Sequence, residues 1–130
     1  MDIKQLAHDI IIALNLVPKE KVRIDVVSPD WSNEPEIRVT SEPSKPEDET
    51  QFGPVSETTV LGIHVLAGTR KKAEALKTQA AEAVYARFEE LEQQRGSGIF
   101  CIVYDERGSV QLPNSPVFHS YSLFRVLHQY

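Results

Sequence analysis

The stretch Val60-Leu61-Gly62-Ile63-His64-Val65-Leu66-Ala67-Gly68-Thr69-Arg70 decides how the chain is read. From Val60 to Ala67 the apolar residues are nearly continuous, as in a strand covered on at least one face. Gly68-Thr69 interrupts the run, and Arg70 opens the longest helical pattern in the chain, reaching Gln94. At about 100° per residue, Ala73, Leu76, Ala80, Val84, Arg87, Phe88 and Leu91 fall within an arc of roughly 120°. Lys71, Lys72, Lys77, Glu82, Glu89 and Gln93 are left on the wet side. A strand followed by a helix with one apolar stripe predicts a sheet with a helix laid on it, and Leu76 and Phe88 are the side chains the stripe depends on most.

Working outward, the rest of the chain supplies further strands and one more helix. Asp2–Asn15 reads as a short helix with Asp2 as N-cap and Ile3, Leu6, Ala7, Ile10, Ile11 and Leu14 at helical spacing, ended by Pro18. Val22–Val27 and Ile37–Thr40 alternate as half-buried strands, and their nearness predicts a hairpin. Ile99–Tyr104 is a second apolar run, expected to pair directly with Val60–Ala67 after the stop at Arg95-Gly96-Ser97-Gly98. Asp105-Glu106-Arg107-Gly108 reads as a turn, Val110–Pro116 as a loop, and Val117–Leu127 as a final strand long enough to span the sheet. The expected fold is α/β (α+β): a mixed, mostly antiparallel sheet of about four strands with two helices packed on one face. Residues 1–130 form a single domain. Its one irregular stretch is a long acidic loop at 41–57, rich in proline, with Phe52 and Val55 as its sizeable apolar residues.

Composition excludes several classes of function. A net charge of −5 lacks the basic face a general nucleic-acid binder needs. The single cysteine, Cys101, forms no internal disulfide, and its apolar neighbours predict a buried strand residue rather than a nucleophile. No apolar run approaches the roughly 20 residues of a membrane span, and Met1-Asp2-Ile3-Lys4-Gln5 does not open a signal peptide, so a reducing cytoplasm is the default compartment.

No catalytic constellation, metal-ligand spacing or phosphate-cradling glycine loop is present, so no cofactor, metal or catalytic residue is assigned. His8, His64, His119 and His128 lie on different elements, where ordinary strand and helix histidines are the first expectation. His64 and His119 sit in strands that could be neighbours, and with Asp105 they frame the one enzymatic alternative. Candidate interface residues are Trp31, in a turn, Phe52 and Val55, in the acidic loop, and Arg70, Lys71 and Lys72 at the start of the long helix. That basic cluster could meet an acidic partner surface.

The piece Gly62-Ile63-His64-Val65-Leu66-Ala67-Gly68-Thr69-Arg70 with its alanine-rich helix, and the closing stretch Pro116-Val117-Phe118-His119-Ser120-Tyr121-Ser122-Leu123-Phe124-Arg125-Val126, resemble the tail-terminator and minor-tail family of long-tailed bacteriophages. The resemblance extends over most of the chain in element order and hydrophobic rhythm. It implies a non-enzymatic virion protein, assembled in the host cytoplasm. Such a protein forms a homo-oligomeric ring, a hexamer by family analogy, that ends the tail tube and joins it to the neck. Its partners would be tail-tube and neck proteins, with DNA passing through the ring rather than being bound specifically. A small binding or adaptor domain is the alternative, with the enzyme using His64 and His119 behind it.

Overall fold

The computed structural model describes residues 1–25, 34–42, 46–50, 53–111 and 116–129. Two α-helices, α1 (Ile3–Ala13) and α2 (Arg70–Gln93), pack on one face of a sheet built from β1 (Val22–Ile24), β2 (Glu36–Glu42), β3 (Pro46–Thr50), β4 (Gly53–Ala67), β5 (Ile99–Gln111) and β6 (Phe118–Gln129). The strand order is β1-β2-β4-β6-β5, with β3 paired to the near end of β4. All pairs are antiparallel except β1 with β2. The expected class is therefore the observed one, with six strands rather than about four.

Each helix starts on a side-chain cap. Asp2 Oδ1 accepts from the Gln5 amide at 2.9 Å, and Thr69 Oγ1 accepts from the Lys72 amide at 3.2 Å. The α2 stripe buries Ala73, Leu76, Ala80, Ala81, Val84 and Phe88. Its edges differ from the helical-wheel reading. Arg87 turns outward to Glu90 (2.9 Å), and Lys77 is half-buried. Beneath the helices, Leu61, Ile63 and Val65 of β4, Ile37 and Val39 of β2, and Phe124 and Val126 of β6 form the floor of the core, all at zero exposure. Tyr85 of α2 stacks on Tyr104 of β5 (centroids 4.9 Å apart), which leans on Phe124 (4.6 Å) and carries the core out under the β5 edge.

Several expectations about connectivity are corrected. Val22 faces Ile37 and Ile24 faces Val39 in parallel, not as a hairpin. Asp25, at φ 55, ends β1, and half-buried alternation reads the same whichever way a strand runs. Strand β4 does not pair with β5; β6 lies between them along its whole length. The expected turn at Asp105–Gly108 is interior to β5, where a register shift between Tyr104 and Glu106 absorbs the polar run as a bulge, and the strand continues to Gln111. The stretch read as a loop, 41–57, is in part strand. Strand β2 extends to Glu42, and β3 pairs β4 with Pro46 opposite Glu57 and Thr50 opposite Gly53. Backbone ladders need no apolar side chains, and proline is tolerated at a strand's first residue and on edges. Cys101 is half-buried rather than buried, because Ile99 and Ile102 take the covered positions. Among the described residues, no helix is long and apolar enough to cross a membrane.

Candidate functional site

Strand periodicity sorts side chains between the helix-covered face of the sheet and the opposite face, on which no described element packs. Where β4 presents Leu61, Ile63 and Val65 to the core, it presents Gly62 and His64 to the other side. Register then brings His64 opposite Arg38 of β2 on one flank and Tyr121 of β6 on the other, with His119 opposite Leu66. His64 and His119 are therefore diagonal cross-strand neighbours. Their rings lie 5.1 Å apart, with His64 Nδ1 2.9 Å from His119 Nε2. On its outer side His64 Nε2 is 3.1 Å from Thr40 Oγ1. From β5, Glu106 Oε1 accepts from the Tyr121 hydroxyl at 3.1 Å.

The two glycines on this face are the reason the groups can approach. A Cβ on Gly62 would lie 2.5 Å from Thr40 Oγ1 and 2.6 Å from His64 Nε2, inside the Thr40–His64 contact. One on Gly108 would lie 2.7 Å from the Tyr121 hydroxyl, so the bare backbone there lets the phenol lie across β5. The result is a concavity of about 320 Å³ lined by Thr40, Glu42, His64, Glu106, His119 and Tyr121.

Electrostatically the imidazoles are held neutral. Burial, then the neighbouring His119, then the Arg38 guanidinium lower the His64 pKa to about 4. Burial and Arg38 lower that of His119, and the hydrogen bond the Tyr121 hydroxyl donates to Glu106 raises that of Tyr121. For a histidine whose folded pKa lies below its unfolded value, the unfolded chain takes up the proton first as pH falls. Stability contributed by His64 is thus fully present above about pH 6.5 and is lost as pH falls toward about 4. Equilibrium unfolding measured across that window should show a declining stability, and His64→Gln should flatten the decline. An unchanged profile in the variant would remove His64 as its origin.

The other histidines are structural. His8 Nε2 donates to the Val22 carbonyl at 2.9 Å, and His128, buried, donates from Nδ1 to the Gln129 carbonyl (2.8 Å) and meets Thr59 Oγ1 (2.7 Å) through Nε2. Asp105, grouped with His64 and His119 from the sequence, is instead paired with Arg125 at 3.2 Å. Glu106, one residue on, is the carboxylate that reaches the cluster. Of the candidate interface residues, Arg70, Lys71 and Lys72 are exposed at the start of α2 and do not line the histidine concavity. Trp31 and Phe52 lie outside the described residues, and Val55 belongs to the backbone of β4. Sequence reasoning missed Thr40, Glu106, Tyr121 and the two glycines. The available signal was period-two phasing, which puts Gly62 with His64 and His119 with Tyr121.

The architecture is an α+β sandwich of two helices on one face of a mostly antiparallel sheet. No family model matches the chain, and no curated protein matches it significantly. Among solved structures, a chain described as "Virion of native gene transfer agent (GTA) particle" superposes with a TM-score of 0.54, covering 92% of this chain and 84% of that one. At 16% identity, what the two share is the fold.

Proposed function

We propose that this chain is a structural protein of a phage-like virion particle, and that it works as a ring that ends a tail tube and joins it to the neck. The observation that carries this reading is the fold shared with a chain of a gene transfer agent virion over nearly the full length of both. Edges of the sheet support it. Among the described residues, strand β5 has a partner on one side only, and it exposes Phe100, Val103 and Val110, with exposures near one half. Strand addition and head-to-tail contact are the ways such an edge is used between subunits. Arg70, Lys71 and Lys72 would offer cations to an acidic neighbour, and Trp31, Phe52 and Val55 apolar contacts. A net charge of −5 repeated around an axis would let DNA pass without binding it.

Size-exclusion chromatography with light scattering, followed by negative-stain imaging, tests the reading. The expected species at high concentration, or on tail tubes added as a template, is a closed ring, with six subunits by family analogy. A monomer or dimer that stays so at high concentration and does not bind tubes would overturn it in favour of an adaptor domain.

A further inference from the structure

We infer that His64 and His119 form a two-histidine site for a divalent first-row transition-metal ion, of the Ni²⁺ or Cu²⁺ type. This goes beyond the virion reading and does not depend on it. The converging atoms are His64 Nδ1 and His119 Nε2, 2.9 Å apart. Two imidazole nitrogens bound about 2.0–2.1 Å from one ion and at right angles to each other are about 2.9 Å apart. That separation suits cis positions of a tetragonal or octahedral ion, whereas tetrahedral Zn²⁺ needs the pair opened by roughly 0.4 Å. Binding requires both rings to turn from facing each other, as in the hydrogen bond, to facing one ion.

Proton placement favours the same site. If His64 Nε2–H donates to Thr40 Oγ1 (3.1 Å), Nδ1 turns its lone pair inward. His119 then supplies the one proton between the rings from Nε2, and on metallation that proton shifts to its Nδ1. Both rings remain neutral with one N–H each, so no net proton is released.

Charge around the site is compatible with a cation. Glu42 and Glu106 line the concavity and oppose the positive charge of Arg38, which is itself paired with Glu36. Among the described residues, no group of three or more histidine, cysteine or carboxylate side chains is assembled for a metal. The protein therefore supplies two nitrogens, and water completes the shell.

Calorimetric titration of tag-free protein with Ni²⁺ near pH 7.5 tests the site. One ion per chain is expected. His64→Gln and His119→Gln should each weaken binding at least tenfold, and Thr40→Val, which releases the orienting contact, by about tenfold. His8→Gln should leave it unchanged. X-ray absorption of the Ni²⁺-loaded wild-type protein provides a readout that needs no variant to fold, and should show two imidazoles per ion. Affinity unaltered in both histidine variants, no binding at millimolar Ni²⁺, or a spectrum without imidazole would each overturn the proposal.

Discussion

Phe88→Ala is expected to cost about 3–5 kcal/mol of folding stability. Phe88 is fully buried on the sheet-facing stripe of α2, and with Phe124 it is among the largest side chains with no exposure. Truncating it removes the transfer free energy of a benzyl group and leaves a cavity in a close-packed core that relaxes only in part. Denaturant unfolding with a fixed slope is the measurement. Glu82→Ala, on the exposed side of the same helix, is the comparison and should fall within about 0.5 kcal/mol of the parent. Comparable losses in the two variants would mean that α2 does not lie on the sheet by the stripe described.

Glu36→Ala is expected to be nearly as damaging, at about 3–5 kcal/mol, for an electrostatic reason. The Glu36 carboxylate is 1% exposed and bridges two guanidiniums: Arg23, at 3.1 Å from Oε1, and Arg38, at Oε2. The parallel register sets Arg23 beside Arg38, so without the carboxylate two like charges face each other across β1 and β2. Replacing Glu36 and Arg38 together by leucine should cost much less than Glu36→Ala alone, since the expensive state is a buried charge that has lost its partner. Equilibrium unfolding of the single and double variants decides. A single variant within 1 kcal/mol of the parent would show that the ion pair is not needed to hold β1 against β2.

The parts of this fold that were legible in the sequence are those dictated by nearest-neighbour physics. The run Val60–Ala67 into Thr69 and the α2 stripe appear in the structure almost residue for residue, because a cap, a period of 3.6 and a continuous apolar strand are local signals. The final strand, read as Val117–Leu127, is observed as Phe118–Gln129. Orientation and order of strands were not legible. Nothing in Val22–Ile24 distinguishes a parallel from an antiparallel neighbour, and nothing in Ile99–Tyr104 reveals that β6 intervenes before β4. Asp105–Gly108 has the composition of a turn and is held extended by its pairing with Leu123, Ser122 and Tyr121, a tertiary effect. At the site, the adjacency of His64 and His119 could be anticipated from their strands. The contribution of Thr40 and Glu106 could not, since it depends on which strands flank β4 and β6.

The position of β6 has a consequence for how the chain reaches this state. Last of the six strands in sequence, it lies inside the sheet one place from the β5 edge, with β4 along one side and β5 along the other. During vectorial synthesis β4, α2 and β5 emerge well before the strand that joins them, and neither β4 nor β5 can satisfy that flank with the other in its native place. Closure of the central ladders is therefore a late event dominated by long-range pairings, which slows folding relative to helical domains of this size. Until residues 118–129 arrive, two long strands present open flanks, the kind of surface that chaperones shield and that neighbouring nascent chains can pair with.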